Sequence, residues 1–402
     1  MVKLALAPLT LALLGAAAAA CSSPDSPAPP AGAVAPAQPV TASFEVERSF
    51  SIAASATSHL AFPSLAKLGD GSLLLVYREG ASHADPSGRI VRQVGAPDAS
   101  AWSTPEVLLD TPGIDDRDPS VAVLPGGDVV VSLFQHRVLA TPSGSLTLYH
   151  PFVGRSRDGG ASFGPFVAVD RGTMTPDAPA RDAITGWTDA AGAPIEVAAC
   201  SSAPVTLGGR LVLATYGGPA AGGAQGAGTR SHVTLYASDD GASWAPDDVL
   251  AGALPSSWVE EPALLPLASG ATLLQARTAA GAAASSPGKM VQATSGDAAR
   301  SWSAPVSLPF VGHAPELAQL SNGLVLSGFR ELDDAYTSEW ASFAWSLDDG
   351  ASWSDPVRVA DCGGVECGYP AIVELDASRF LYVWYAPGGT AIQAAIVRFT
   401  LG

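Results

Sequence analysis

The sequence predicts an all-β chain folded as a six-bladed β-propeller, because one strand motif recurs six times at intervals close to the size of a propeller blade. A second motif, built around an aspartate and a glycine, falls between copies of the first. The 402 residues also include 42 glycines and 33 prolines, as expected where many short strands are joined by turns. Together these observations indicate four-stranded antiparallel sheets packed radially around an axis.

The recurring motif is a proline followed by small and apolar residues, a leucine, a glycine-containing turn and a second apolar run. Each copy predicts two antiparallel strands, and the proline suits the first residue of a strand, where its missing N–H costs least. The prolines are Pro63, Pro119, Pro204, Pro262, Pro315 and Pro370, which are 56, 85, 58, 53 and 55 residues apart. We assign the extra length of the second interval to a long loop within residues 164–203.

The second motif has the form Ser-x-Asp-x-Gly-x-x-aromatic and is complete at residues 156–163 and 346–353. We expect its aspartate to accept backbone N–H bonds, its glycine to permit a bend, and its aromatic ring to pack between strands. The copy at 239–244 keeps all but the leading serine, the copy at 295–302 has lost its glycine, and the copy at 97–102 is more degenerate. The sixth blade lacks the motif, and the alternating segment 44–52 is expected to supply its outer strand and close the ring.

The N-terminus predicts export. Lys3 precedes an apolar stretch at 4–14 that is too short to span a bilayer, and small residues then lead to Cys21. This segment resembles a bacterial lipobox, with Ala18 where a leucine is usual, and implies cleavage before Cys21 and a diacylglycerol on its sulfur. The alternative is ordinary signal-peptidase cleavage after an Ala-x-Ala sequence.

Three segments follow from this interpretation: a signal peptide at 1–20, a lipid-anchored Ala/Pro-rich linker at 21–40, and the propeller at 41–402. We therefore expect an exported protein, either a cell-envelope lipoprotein or a secreted one, that meets the membrane only through its lipid. The net charge of −17 opposes binding to a phosphate backbone, so nucleic acid is not an expected partner.

Export also permits disulfides. Cys362 and Cys367 lie in one glycine-containing loop and are expected to pair, which leaves Cys200 without a partner. No Cys/His spacing is typical of a zinc site, and no metal or organic cofactor is expected.

Charged and phenolic residues occupy positions that should converge on one rim of the axis. The inner strands of a propeller begin near that rim, so the residues before each repeated proline and after each second strand should meet there. A purely structural rim would carry small or apolar residues. The residues found there instead are Asp118, Glu261 and Tyr369 before prolines, and Arg78, His136, Arg277 and Arg330 after second strands.

This pattern resembles the sialidases, six-bladed propellers with Asp boxes and a rim that carries three arginines, a Tyr–Glu pair and a catalytic Asp. The resemblance covers roughly 44–400 and implies that Tyr369 is the nucleophile, Glu261 its base and Asp85 the general acid/base. It also implies a substrate-binding set of Arg78, Arg117, Asp118, Arg277, Arg330, His83 and His136. Sialidases begin their first blade with an arginine, but Ala61 stands there in this chain, and Arg117 and Arg78 are the candidates to replace it.

The implied chemistry is coherent. A carboxylate at the anomeric carbon would repel a carboxylate nucleophile by about 1–4 kcal/mol at contact distance, whereas a neutral phenol avoids that repulsion. A tyrosine has an ordinary pKa of about 10, so it needs an adjacent base, here Glu261. Asp85 would protonate the leaving oxygen and later activate water. The expected function is a retaining exo-glycosidase that acts on terminal sialic acid or a related acidic sugar of extracellular glycans.

Each assignment has a structural alternative. Tyr369 can be a buried rim residue bonded to a carbonyl, Glu261 and Arg277 an ion pair between blades, and Asp118 a turn cap. Asp85, His83 and His136 can belong to ordinary loops. Two alternatives concern the whole protein: a glycan-binding propeller that has lost the chemistry, and a scaffold propeller. The missing first-blade arginine favours the glycan-binding alternative, whereas a scaffold would not need charge around its axis.

Overall fold

Apolar runs separated by turn residues fold into short strands along the whole described chain. The computed structural model describes residues 41–141, 144–169, 196–219, 232–247, 259–278, 288–333, 335 and 337–402. Strands and turns account for these residues, apart from one short 3-10 turn at Pro387–Gly389. None of the described segments forms a helix that is long and apolar enough to cross a membrane. The predicted signal peptide and linker, including Cys21, lie outside the described residues. Residues 170–195 of the predicted long loop also lie outside them.

The strands are named in chain order. The first half contains β1 (Ala42–Ala54), β2 (His59–Lys67), β3 (Leu73–Gly80), β4 (Arg89–Gly95), β5 (Glu106–Leu109), β6 (Asp115–Val123), β7 (Val129–Thr141), β8 (Gly144–Ser156), β9 (Val167–Ala168), β10 (Glu196–Ala199), β11 (Val205–Leu207), β12 (Arg210–Pro219), β13 (His232–Ser238) and β14 (Ala245–Asp247). The second half contains β15 (Val259–Pro266), β16 (Thr272–Thr278), β17 (Lys289–Ser295), β18 (Val306–Gln319), β19 (Val325–Leu332), β20 (Glu339–Ser346), β21 (Val357–Asp361), β22 (Gly368–Asp376), β23 (Arg379–Tyr385) and β24 (Ala391–Leu401).

Neighbouring strands pair antiparallel in chain order. β2–β5 and β6–β9 each form a four-stranded sheet, and β12 pairs with both β10 and β11 in the sheet that continues to β13 and β14. β15–β21 form seven consecutive strands in which β18 pairs with β17 through its first half and with β19 through its second half. The last sheet has the order β1-β24-β23-β22, so the alternating segment at 44–52 does supply an outer strand, as predicted.

Strands of successive hairpins contact one another along the chain. β2 contacts β6, β12 contacts β15, β15 contacts β18, and β18 contacts β22, while β10 contacts β7 and β8. β22 also contacts β2, so the last inner strand meets the first. Because the N-terminal β1 pairs with the C-terminal β24, the two ends of the described chain are joined in one sheet.

Apolar clusters fill the spaces between successive sheets. One contains Leu75 and Val91 of the first sheet with Leu381 and Ile392 of the last, and others join each following pair. The aromatic residue of each predicted Asp-box motif packs against a different cluster: Trp102, Phe163, Trp244, Trp302 and Trp353. These rings therefore help to hold one sheet to the next.

Four of the five Asp-box turns share one hydrogen-bond pattern, in which the aspartate accepts from a serine hydroxyl and from a backbone N–H. In the motif at 346–353, Ser346 Oγ donates to Asp348 at 2.7 Å and the Ser352 N–H donates to the same carboxylate at 2.8 Å. The Gly350 N–H donates to Ser346 Oγ at 2.8 Å. The motif at 239–244 does have a leading serine, because Ser238 Oγ donates to Asp240 at 3.1 Å and the box is one residue shorter than expected.

Candidate functional site

The residue before the repeated proline has an unusual backbone conformation. At Phe62, Asp118, Glu261, Ala314 and Tyr369, φ lies between +46° and +57°, in the left-handed region that favours glycine. The pairing register also shifts at each of these steps. The repeated proline therefore marks a bulge that turns the preceding side chain out of its sheet. Since Phe62 and Ala314 share this conformation, the bulge belongs to the repeat itself and is not a sign of catalysis.

Four of these steps, but not that of Glu261, line one cavity where the inner strands meet. Its walls are the proline steps of the first, second, fifth and sixth copies together with Ser201 of the third: Phe62, Pro63, Ser64, Asp118, Pro119, Ser120, Ser201, Ala314, Pro315, Glu316, Tyr369 and Pro370. The predicted site residues Asp118 and Tyr369 thus open onto the same space, although 251 residues separate them in sequence.

Tyr369 and Glu261 are in contact across the rim. The Tyr369 hydroxyl donates a hydrogen bond to one Glu261 carboxylate oxygen. The other oxygen accepts from the Ala314 N–H at 2.8 Å and lies 3.1 Å from Nε of Arg277. Glu261 is almost fully buried, with 2% of its surface exposed, so its carboxylate is held in one place by partners on three sides.

Two of the predicted arginines meet at a histidine. Arg277 donates to Glu260 and lies 3.3 Å from Nδ1 of His313, which lies 2.8 Å from Arg330. Because both guanidinium groups can only donate, Nδ1 is the acceptor and the ring proton belongs on Nε2. Burial, followed by the charges of Arg277 and Arg330, lowers the pKa of His313 well below its ordinary value, so this ring is neutral.

Arg117 approaches from the second sheet. Its guanidinium lies 5.1 Å above the Phe62 ring, 3.6 Å from Asp118 and 3.6 Å from Asp115. Phe62 follows Ala61, the position where the first-blade arginine of sialidases is missing. Arg117 therefore brings a positive charge to that side of the rim, beside the Tyr369 ring, whose centroid is 4.7 Å from that of Phe62.

Arg78 holds a loop rather than facing the cavity. Its side chain is fully buried, and it donates to Asp115 at 2.7 Å and to the Ser82 carbonyl at 2.8 Å. The loop also carries Asp85, whose own N–H donates to Asp115 at 3.0 Å. The Asp85 carboxylate accepts from the N–H and the hydroxyl of Ser87, at 2.8 Å and 2.5 Å, and these bonds lower its pKa.

The two predicted rim histidines lie on the same side as this loop. His83 lies 3.3 Å from Arg117 and 3.2 Å from Glu366. His136 lies 3.8 Å from Asp115 and stacks on Tyr149 at 5.2 Å between ring centroids. Glu366 also reaches Arg330 at 3.2 Å, so it bridges His83 and Arg330. Cys362 and Cys367, which enclose Glu366 in sequence, are joined by a disulfide, and Cys200 is buried and free.

Burial and neighbouring charges set the protonation states around Tyr369. Burial, and then the charge of Glu261, raises the pKa of Tyr369 well above its ordinary value, so the resting phenol is neutral. Burial raises the pKa of Asp118 to about 7 and outweighs the opposing charge of Arg117. Burial alone would lower the pKa of Arg277, but the charges of Glu261 and Glu260 raise it, so the guanidinium stays charged.

Sequence reasoning missed four residues of this site: Glu260, His313, Asp115 and Glu366. Glu260 and His313 are the second residues before repeated prolines, the position that Arg117 also occupies. Extending the motif by one residue would have found them. Asp115 and Glu366 give no such signal, because their roles depend on contacts between sheets. Within the described residues, no group of three or more His, Cys, Asp or Glu side chains is arranged to hold a metal ion.

The repeat, its Asp boxes and the rim agree with a family comparison. Residues 71–382, more than half of the chain, match the model of the BNR repeat-like domain. The chain belongs to this family. The BNR repeat-like domain places it in the sialidase-like superfamily, as the sequence resemblance predicted. A search of curated proteins finds no match.

Solved structures share the fold. A protein of unknown function from Dyadobacter fermentans is 20% identical, with a TM-score of 0.68, and the match covers 89% of this chain and 99% of that one. The NanB sialidase of Streptococcus pneumoniae is 12% identical, with a TM-score of 0.58 over 88% of this chain and 70% of that one. An α-L-arabinanase of Penicillium chrysogenum with bound arabinobiose is 11% identical, with a TM-score of 0.60 over 88% and 98%. At these identities the likeness shows a sialidase-like β-propeller fold that glycoside hydrolases also have.

Proposed function

We propose that this BNR-repeat protein is a retaining exo-glycosidase that removes a terminal sialic acid or a related acidic sugar. The proposal rests on one observation: the Tyr369 hydroxyl donates to the buried Glu261 carboxylate. Tyr369 also lines the cavity between the inner strands. Arg277 and Arg117 approach this pair, and Arg330 joins them through His313. A phenol beside a carboxylate base and several arginines suits a sugar that carries its own carboxylate.

The proposed architecture is six blades. Each proposed blade begins at a repeated proline step or contains one. The six blades are β2–β5, β6–β9, β10–β14, β15–β18, β18–β21 and the closing set of β22, β23, β24 and β1. The division of β18 between two partners supports counting β15–β21 as two blades. Six such sets would place Tyr369, Glu261, Asp118 and the arginines in one radial layer.

The first chemical step would form a glycosyl–tyrosine. The Tyr369 oxygen attacks the anomeric carbon while its proton passes to Glu261 and the glycosidic C–O bond breaks. Because the pKa of Tyr369 is raised, the proton has to leave as the new bond forms rather than beforehand. Arg277 contacts the same carboxylate and would keep it ionised before the attack, so that Glu261 is free to accept the proton.

Asp85 would act as the acid and then the base. It donates a proton to the leaving oxygen, and in the second step it takes a proton from the water that cleaves the glycosyl–tyrosine, while Glu261 returns a proton to Tyr369. The Ser87 bonds lower the Asp85 pKa, so the resting carboxyl is ionised. It has to leave Ser87 and take up a proton from solvent before it can donate that proton to the leaving oxygen. Arg78 would keep the loop in reach by binding Asp115 and the Ser82 carbonyl.

A glycan-binding protein without catalysis is the second candidate. Ala61 in place of the first-blade arginine favours it, and so does the pairing of each rim arginine with a carboxylate of the protein. Under either candidate we propose that the protein works outside the cytoplasm, on a lipid anchor at Cys21 or as a secreted form. The disulfide between Cys362 and Cys367 supports export.

The experiment is hydrolysis of fluorogenic glycosides by wild type and by Tyr369→Phe. The panel includes α-N-acetylneuraminide and neutral sugars, among them α-L-arabinofuranoside. We expect hydrolysis of the acidic glycoside and a loss of about 10³-fold or more in kcat in the variant, because only the nucleophilic oxygen is removed. Wild type that binds the acidic sugar but never hydrolyses it would favour the glycan-binding candidate.

A further inference from the structure

Glu366 occupies an unusual place for an acidic residue in a site proposed to take an acidic sugar. One carboxylate oxygen lies 3.2 Å from the Arg330 guanidinium and the other lies 3.2 Å from Nδ1 of His83. Its side chain is 40% exposed, whereas that of Arg330 is 6% exposed. Glu366 is therefore the more exposed partner of this ion pair, so a ligand that approaches Arg330 from solvent would also meet Glu366.

The loop that carries Glu366 is fixed at several points. The disulfide between Cys362 and Cys367 closes a loop with a sequence separation of five, and both cysteines are buried. The Cys362 N–H donates to the Glu339 carbonyl at 2.9 Å, and the Gly388 N–H donates to the Glu366 carbonyl at 3.1 Å. Gly364 has φ of +74°, and a Cβ there would lie 2.5 Å from the Thr337 carbonyl oxygen, so the loop packs closely on the neighbouring sheet.

Arg330 has Glu366 as its nearest carboxylate among the described residues. Its other near neighbours are Glu339 at 3.8 Å and the neutral His313 at 2.8 Å. A ligand carboxylate that reaches Arg330 has to displace Glu366 or share the guanidinium with it, and the two negative charges would lie within contact distance. A neutral sugar meets no such repulsion and can donate hydroxyl hydrogen bonds to Glu366.

We propose that Glu366, held by the Cys362–Cys367 disulfide, is an internal counter-ion of Arg330 that limits the preference of the site for acidic over neutral sugars. This inference rests on the part of the proposed function that places a sugar beside Arg330, and it does not require that the sugar is hydrolysed. Glu366 is a specificity-determining residue in this account, and the disulfide positions it.

The test compares N-acetylneuraminic acid with its methyl ester, two probes that differ in charge at one carboxyl group. Binding of each is measured by calorimetry, and neither probe needs turnover. Glu366→Gln should raise the affinity for the acid about tenfold and change that for the ester by less than about twofold. The matched control is Glu374→Gln, on the same strand as Tyr369 but bonded to Ser321 at 2.6 Å, and it should change neither affinity.

Reduction of the disulfide, verified by thiol labelling, should raise the ratio of the affinity for the acid to that for the ester, as Glu366→Gln does. The reason is that the loop is then free to withdraw Glu366 from Arg330. Equal changes for acid and ester in Glu366→Gln, a weaker acid affinity, or no binding of either probe to wild type would overturn the inference. A shifted ratio without any glycoside hydrolysis would refute the proposed enzyme and leave Glu366 as the selectivity residue of a glycan-binding protein. Glycoside hydrolysis without a shifted ratio of the two affinities would refute the role of Glu366 and support the proposed enzyme.

Discussion

Replacing Glu261 by glutamine tests how one buried carboxylate serves both folding and chemistry. In wild type one oxygen accepts from Tyr369, and the other accepts from the Ala314 N–H at 2.8 Å and faces Arg277 at 3.1 Å. A glutamine can keep its carbonyl oxygen toward Ala314 and Arg277. Its NH₂ group then faces Tyr369 and donates to the phenol oxygen, so the phenol proton loses its acceptor.

The cost to stability follows from these exchanges. Hydrogen bonds to a charged group contribute about 1.5–3 kcal/mol and neutral ones about 0.5–1.5 kcal/mol, so Glu261→Gln should lower the free energy of unfolding by about 1–3 kcal/mol. Tyr369→Phe should cost about 1–2 kcal/mol. Both changes remove the same hydrogen bond, so the double variant should cost less than the sum, by about 1 kcal/mol. Denaturant unfolding of the four proteins measures each value.

The effect on activity should be larger than the effect on stability. Without a base, Tyr369 cannot pass on its proton as it attacks, and kcat should fall by about 10²–10⁴-fold. The matched control is Glu260→Gln, which also removes a carboxylate from Arg277 but leaves the Tyr369 bond intact. If Glu261→Gln hydrolyses glycosides within tenfold of wild type, or if Glu260→Gln is equally inactive, the assignment of Glu261 as the base is refuted.

Three further predictions concern stability and anchoring. Asp348→Ala should lower the free energy of unfolding by about 2–4 kcal/mol, because the carboxylate accepts bonds at 2.7, 2.8 and 2.6 Å within its turn. The control Asp98→Ala should cost less, because Asp98 accepts from a single N–H at 3.0 Å. Equal losses of stability in the two variants would contradict the role of the complete motif. The pKa of Asp118 in the folded state is raised to about 7, so between about pH 4 and 7 the folded state holds a proton that the unfolded state has lost. Wild type should therefore lose stability relative to Asp118→Asn as pH rises from about 4 to 7. Parallel profiles of stability against pH for the two proteins would exclude a raised pKa of Asp118. Cys21→Ala should release a soluble form or leave an unprocessed precursor, and absence of labelled fatty acid on wild type would exclude the lipoprotein.

The repeat made most of the fold predictable from sequence. Six proline steps with apolar runs predicted the order of the hairpins. The aromatic residues of the Asp boxes were expected to pack between strands, and they lie against the apolar clusters that join neighbouring sheets. The same repeat placed Tyr369 and Glu261 at equivalent positions of different copies, so their proximity followed from symmetry. The left-handed conformation at five of these steps could not be predicted, because the residue before a proline normally favours extended backbone.

The contacts between side chains were less predictable. The positions of Arg78 and Arg117 in sequence give both as candidates for the missing arginine, yet only burial and hydrogen bonding separate them: Arg78 is enclosed beneath its loop and Arg117 lies over Phe62. Glu366 gives no signal in sequence beyond its place inside the disulfide loop. Its role arises from three-dimensional contacts with Arg330 and His83.

Chemical trapping of the intermediate tests the central claim most directly. A sialic acid derivative with fluorine beside the anomeric carbon and a good leaving group should glycosylate the enzyme and then hydrolyse slowly. Mass spectrometry of digested protein should place the added sugar on the peptide that contains Tyr369, and Tyr369→Phe should carry none. A sugar attached to an aspartate or glutamate, turnover with inversion and no adduct, or binding without any reaction would each contradict a tyrosine nucleophile.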